Sequence, residues 1–309
     1  MKKARVVFAG TPDFALASLK ALISAGVTPL TVLTQPDRRA GRGKKMTPSP
    51  VKTFSNTHEI SVWQPHSLTS ADVIAKLAAL APDLVIVSAY GLLLPQEFLD
   101  VPRRGCLNVH ASLLPRWRGA APIQAAILSG DDKTGVSLMR MEAGLDTGAV
   151  FQRSSLAIGP DESAGELYDR LATLGGEVLV ENLAAILDGA MTATPQDEAA
   201  ATHASKIKKS DAVLRWDQPA TDLHRLIRAY DPVPGARFEF RGEDIKCWRA
   251  GLAEGEHQKA GKILSVDKGG IVVACGDGSL RLTQLQRPGR GRVTAAEFAS
   301  QFDLQDDCF

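Results

Sequence analysis

A chain of 309 residues, 44% apolar and 23% charged with a formal net charge of +1, is neither disordered nor fibrous, nor a basic coat for nucleic acid. It is long enough for two modest hydrophobic cores, and any polynucleotide contact must come from local patches. The four cysteines, Cys106, Cys247, Cys275 and Cys308, are widely spaced without a Cys-x-x-Cys pair, which points to reduced thiols in a cytoplasmic protein with no disulfide frame and no metal site.

In chain order, Arg5–Ala9 is predicted as the first strand. Its apolar run stops at Thr11-Pro12-Asp13, too soon for a signal peptide, and no later stretch reaches the length of a membrane span, so no membrane association is expected. A helix over Asp13–Ala25 follows. The turn Gly10-Thr11-Pro12-Asp13-Phe14 stands where a dinucleotide-binding protein carries its phosphate loop, but the glycine spacing is wrong. Asp13 also puts negative charge where a pyrophosphate needs positive potential. Thr11 and Pro12 read as an ordinary helix start, and Phe14 is a candidate wall for an apolar side chain such as methionine.

Further strands are predicted at Leu30–Leu33, Ser61–Gln64, Leu84–Ser88, Cys106–Val109, Val136–Met141 and Val150–Leu156, and a long helix over Ala164–Leu187. The alternation predicts an α/β fold, a Rossmann-like, mostly parallel sheet with helices on both faces. Residues 1–188 form the expected first domain, and 189–204, rich in small and polar residues, a linker. From 205 to 309 the period changes. One helix, Thr221–Ala229, precedes short strands at Arg237–Phe240, Ile245–Trp248, Gly261–Val266, Ile271–Ala274 and Ser279–Leu285, the pattern of a small antiparallel β-barrel.

Between Thr34 and Lys52 the connection is far longer than such a sheet needs. Gly43-Lys44-Lys45 lacks the upstream glycine and the Ser or Thr of a phosphate loop. The stretch reads either as a solvated loop or as an arm whose Arg38, Arg39, Arg42, Lys44 and Lys45 meet nucleic-acid phosphates or base edges. Basic runs also occur at Lys206-Ile207-Lys208-Lys209 and from Arg287 to Arg292.

The chemistry concentrates at Gly105-Cys106-Leu107-Asn108-Val109-His110. Alternation along a strand puts Leu107 and Val109 on one face and Asn108 and His110 on the other. An Asn can donate to an oxygen that gains negative charge and an imidazole can carry a proton, which together suit attack on a carbonyl. Asp146, in the Gly-flanked stretch Gly144-Leu145-Asp146-Thr147-Gly148, is the candidate carboxylate to orient the imidazole.

The Asn-x-His strand end, the Ser112-Leu113-Leu114-Pro115 turn, the run Arg116-Trp117-Arg118-Gly119-Ala120-Ala121-Pro122-Ile123-Gln124 and the Leu145-Asp146-Thr147-Gly148 loop together resemble the folate-dependent formyltransferases, and within them those that act on an aminoacyl-tRNA. The resemblance covers most of the first 210 residues closely and the last hundred loosely. It implies transfer of a formyl group from 10-formyltetrahydrofolate to the methionine amine of initiator Met-tRNA, with Asn108, His110 and Asp146 catalytic and no metal. It further implies folate held by Ser112, Leu113, Leu114 and Pro115 and by Tyr90, Gly91 and Leu92. The last domain is implied to be similar to an OB-fold and to grip tRNA, with Lys206, Lys208 and Lys209 at its start. Two rivals stay open: a formyltransferase acting on another amine, such as a nucleotide-linked amino sugar, and a non-catalytic RNA-binding module on the same scaffold.

Overall fold

The central strands follow from runs that are apolar without alternation, as strands covered on both faces require. In the computed structural model, which describes residues 4–40, 43, 45–255, 258–304 and 307–309, Val6-Val7-Phe8-Ala9-Gly10 and Leu84-Val85-Ile86-Val87-Ser88 are buried throughout. The elements in order are β1 (Val6–Gly10), α1 (Asp13–Ser24), β2 (Val32–Leu33), β3 (Arg38–Ala40), β4 (Lys45–Thr47), α2 (Pro50–Thr57), β5 (Val62–Trp63), α3 (Ala71–Ala79), β6 (Leu84–Ser88), α4 (Gln96–Leu99), β7 (Cys106–His110), β8 (Arg118–Gly119), α5 (Pro122–Ser129), β9 (Lys133–Arg140), β10 (Val150–Ala157) and α6 (Ala164–Asp188). There follow β11 (His203–Ala204), α7 (Ala220–Ala229), β12 (Ala236–Phe240), β13 (Glu243–Ala253), β14 (Ile263–Asp267), β15 (Gly270–Ala274), β16 (Ser279–Gln286), β17 (Val293–Thr294) and α8 (Ala295–Ala299).

By backbone proximity the chain forms two units, residues 1–122 with 134–156 and 168–204, and residues 123–133 with 157–167 and 205–309. In the first, a seven-stranded sheet runs β10-β9-β7-β6-β1-β2-β5. The strands from β7 through β5 are parallel and β9 is antiparallel to β7. Val7, Ala9, Val85, Val87 and Cys106 face one core with Leu77 and Phe98. On the opposite face α6 lies directly on the sheet. A Cβ on Gly175 would stand 3.0 Å from Val109 Cγ1, and one on Gly176 2.9 Å from the Ala21 Cβ of α1. The stretch 189–204 is tied into this unit: Thr194 bridges Val150, and β11 pairs in parallel with β8.

The second unit carries an antiparallel sheet in the order β12-β13-β16-β15-β14, with β17 pairing β16 at Gln284 and Leu285, beyond the reach of β15. Register shifts around Arg249 bend the long β13, as bulges do. Phe238, Phe240, Ile245, Ile271, Val273, Leu280, Leu282 and Phe298 fill its core with Leu223 and Ile227 of α7. Among the described residues no helix is long and apolar enough to cross a membrane.

This packing can be tested at two points. Gly176→Leu gains helix propensity but overfills the α1–α6 contact, so thermal unfolding should show a net loss of roughly 1–3 kcal/mol. A melting temperature equal to wild type would mean that the helices can part without cost. The second point is the Ser163–Glu166 capping box, in which Glu166 accepts from Ser163 N–H at 2.8 Å and Ser163 Oγ at 2.6 Å. Arg249 adds an ion pair at 2.8 Å, and Arg249 first, then Ser163, holds the Glu166 carboxyl down from 4.5 to about 2. The folded value lies below the unfolded one, so this stabilisation is present above about pH 4.5 and is lost as pH falls toward 2. Acid unfolding of Glu166→Gln should therefore depend less steeply on pH in that window; an unchanged acid limb would show that the pair contributes nothing.

Candidate active site

β7 ends the parallel part of the sheet, between β6 and the antiparallel β9, with Val87 opposite Asn108 and Ser137 opposite His110. Leu107 and Val109 are buried on one face, and Asn108 and His110 are 9% and 7% exposed on the other, as alternation predicts. The Asn108 amide has no hydrogen-bond partner among the described residues. Its N–H groups are therefore available to an incoming acceptor.

His110 Nε2 lies 3.1 Å from the Trp117 carbonyl oxygen. A carbonyl only accepts, so Nε2 carries a hydrogen, and the ring in its neutral form presents its lone pair at Nδ1. Nδ1 faces Asp146 Oδ2 at 3.7 Å, beyond direct hydrogen-bond length. The imidazole is thus held at Nε2 by the Trp117 carbonyl, a backbone group that no residue type could announce, and faces Asp146 from Nδ1. Two acceptors facing each other across this gap suit a proton donor placed between them.

Asp146 sits at φ 53°, in the left-handed region, within a turn whose Gly148 cannot take a side chain without overlapping the Arg140 carbonyl. Its Oδ2 accepts from Gly119 N–H at 2.9 Å. Gly119 follows Arg118, a fully buried guanidinium to which the sequence pattern assigns no role. Arg118 makes a two-armed pair with Glu198 at 2.9 and 2.7 Å and holds the Glu198 carboxyl below the usual carboxylate range. No local signal could have found that pair, because its members lie eighty residues apart.

The Ser112–Pro115 turn uses much of its own hydrogen-bonding capacity. Ser112 Oγ donates to the Arg116 carbonyl at 2.6 Å, Leu114 N–H donates to Ser137 Oγ at 3.0 Å, and the Leu114 carbonyl accepts from Arg153 at 2.6 Å. The Leu114–Pro115 bond is cis. The Tyr90 carbonyl is likewise engaged, by Thr11 Oγ1 at 3.0 Å and Gln35 Nε2 at 3.1 Å. Leu113, Pro115 and Leu92 are half-buried and Leu93 is exposed. Tyr90 is buried in the core below the loop, where burial pushes its phenol up. Since Val87 is the register partner of Asn108, the Tyr90-Gly91-Leu92 loop leaves the sheet beside Asn108, at the carboxyl ends of the parallel strands where open α/β sheets bind ligands. Cys106, on the same strand face, is buried, and burial first and Asp100 second push its thiol up to about 12.

Phe14 is core, 4% exposed, edge-on to Tyr168 at 5.5 Å, and donates its backbone N–H to the Tyr168 hydroxyl. The basic connection is an antiparallel hairpin of β3 and β4, with Arg39 opposite Met46 and Ala40 opposite Lys45. Its base is pinned by Lys52, which holds Asp37 at 2.8 Å and takes Gln64 Oε1 at 2.8 Å; Lys52 first, then Gln64, keeps the Asp37 carboxyl low. Arg38 contacts Gln35, while Arg39, Lys45 and Met46 are exposed. Arg42 and Lys44 lie outside the described residues. In the second unit Lys206, Lys208 and Lys209 are exposed, whereas Arg287 and Arg292 are paired with Glu243 and Asp231.

Comparison with known proteins gives this geometry its family. The model of the formyl transferase family matches residues 2–183, and that of the formyl transferase C-terminal domain matches 206–303. A methionyl-tRNA formyltransferase of Pseudomonas putida is 52% identical over 305 residues, 99% of this chain and 97% of its own. Another, from Aromatoleum aromaticum, is 50% identical over 300 residues, 97% of this chain and 95% of its own. Among solved structures, the N-formyltransferase of Helicobacter canadensis, in complex with folinic acid and dTDP-3-aminofucose, shares the fold at TM-score 0.67 and 16% identity, over 92% of this chain and 99% of that one. HypX of Aquifex aeolicus, in complex with tetrahydrofolic acid, does so at TM-score 0.64 and 18% identity, over 97% of this chain and 47% of that one. With both halves matched and half of its residues shared end to end with those relatives, the chain belongs to the folate-dependent formyl transferase family, in its methionyl-tRNA formyltransferase branch.

Proposed function

We propose that this chain transfers the formyl group of 10-formyltetrahydrofolate to the α-amino group of methionine on initiator Met-tRNA, in the cytoplasm, preparing that tRNA for translation initiation. One observation carries the chemistry: the His110 lone pair and the Asp146 carboxylate face one space across 3.7 Å, with the unpartnered Asn108 amide on the same strand face. The printed function of relatives that are half-identical over nearly the whole chain supports the acceptor.

The residues present suit a formyl donor: a neutral amide without a partner for the formyl oxygen, and half-buried Leu92, Leu113 and Pro115 as apolar walls. The folate supplies an activated formyl carbon and a nitrogen leaving group. Nδ1 of His110 and Oδ2 of Asp146 accept from the N–H groups of the attacking amine and so aim its lone pair. Asn108 donates to the oxygen that gains negative charge. His110 takes the amine's proton at Nδ1 and returns it to the departing nitrogen, while the Trp117 carbonyl keeps Nε2–H fixed throughout. In this reading residues 1–188 supply catalysis, 189–204 connect, and 205–309 bind tRNA through the exposed Lys206, Lys208 and Lys209, while the β3–β4 hairpin supplies Arg39 and Lys45.

Single-turnover formylation of charged initiator tRNA tests the roles. His110→Ala should lose ~10²–10⁴ in rate and Asn108→Ala roughly 10²–10³, with folate affinity largely kept. A His110→Ala rate near wild type would remove it from the mechanism. The acceptor is tested beside charged elongator tRNA and an amino-sugar nucleotide, and transfer to the sugar alone would overturn the proposal.

For the hairpin, replacing Arg39 and Lys45 by Ala should leave folate affinity and melting unchanged. Each cation removed from a phosphate should flatten the dependence of log tRNA affinity on log salt by roughly 0.7–0.9. An unaltered slope would reduce the hairpin to a solvated connection.

A further inference from the structure

Asp146 is held from two sides by residues that take no part in the chemistry just described. Gln196, half-buried on the stretch between the Val150–Thr194 bridge and β11, donates from Nε2 to the Asp146 carbonyl at 2.8 Å and to the Gly148 carbonyl at 2.7 Å. Its other end accepts from Arg118 Nε at 3.0 Å. An amide has two N–H donors and one carbonyl oxygen, so both of its hydrogens and its acceptor are used in this one orientation. Flipping the amide would set NH₂ against a guanidinium and a carbonyl oxygen against two carbonyl oxygens. Arg118 is itself immobilised by the two-armed pair with Glu198.

The bonds from Gln196 fall on a backbone that needs them. Asp146 adopts a left-handed φ that an ordinary side chain disfavours, and the two Gln196 bonds fix its own carbonyl and that of Gly148 two residues on. The carboxylate is fixed separately by Gly119 N–H. Gly119 is in turn placed by β8–β11 pairing so close that a Cβ there would stand 2.6 Å from the Ala204 carbonyl. Backbone and side chain of Asp146 are thus set by different groups, and a displacement of either changes the 3.7 Å gap to His110.

We infer that Gln196, oriented by Arg118, is a positioning residue for Asp146 that sets the proton-accepting gap with His110. This rests on the role given to Asp146 above. The test is a double-mutant cycle in the full chain, with Gln196→Met as the near-isosteric, uncharged variant, Gln196→Ala as a second, and Asp146→Asn as the partner change. Either Gln196 variant should lower single-turnover formylation roughly 10–100-fold, as small misplacements of a catalytic group do, with the KM for folate within about twofold and circular dichroism unchanged. On the Asp146→Asn background the same change should cost little further, because no carboxylate is left there to be placed against the amine.

A loss that is as large on that background as on wild type would overturn the inference, since it would mean a general structural effect. A wild-type rate in both Gln196 variants would overturn it as well. If Asp146→Asn alone keeps the wild-type rate, the catalytic role of Asp146 fails and the inference goes with it. If the wild-type chain formylates only an amino-sugar nucleotide, the proposed acceptor fails, and the same cycle run with that acceptor decides Gln196 by the same outcomes.

Discussion

β7 is covered on both faces and paired on both edges, and the site depends on that confinement. A strand so enclosed has no freedom to slip, because a shift of one residue would drive Asn108 and His110 into the apolar layer held by Val109, Val136 and α6. The alternation that buries Leu107 and Val109 is therefore the same constraint that aims the amide and the imidazole. Gly175 of α6 reinforces it by letting the helix close directly onto the Val109 side chain, while Gly176 does the same against Ala21 of α1.

What the strand cannot supply comes from chain segments distant in sequence. Trp117 offers its carbonyl, Gly119 its N–H and Gln196 its amide; the pairing of β8 with β11 and the Trp117–Thr202 bond place the first two, and Gln196 is bonded to Arg118 of β8. Arg118 at the centre of this arrangement is a buried cation, a costly thing unless fully bonded. Its partner Glu198 is 71% exposed, so only one member of the pair has lost its water. That asymmetry lowers the desolvation cost while the guanidinium still receives both carboxylate oxygens.

Legibility in the sequence followed the range of the interactions concerned. β1, β6, β7 and the long α6 declare themselves by local pattern, and their observed bounds lie within a few residues of those expected. Asn108 and His110 are readable because a strand's period is two, and Asp146 because its glycines mark a turn. The β3–β4 hairpin reads as an open arm in the sequence, since its strands hold three residues each and carry no apolar alternation. α3 escapes notice because Ala71–Ala79 buries little beyond Leu77, and α8 because a helix of five residues is too short to show a period. The stretch 189–204 has the composition of a linker, yet Gln196, Glu198 and Thr202 fasten it to the first unit; such bonds depend on partners about fifty to eighty-five residues away.

The placement of Cys106 has a consequence for the protein's response to electrophiles and oxidants. Only thiolates react readily, and a thiol pushed up to about 12 in a closed apolar layer is almost wholly protonated and out of reach at neutral pH. Cys247 and Cys275 are buried too, with their thiols raised by burial. Cys308, exposed near the end of the chain, is left as the accessible thiol. Adducts and mixed disulfides should therefore collect at Cys308, so the chain can be chemically tagged there while the strand that carries Asn108 and His110 stays reduced.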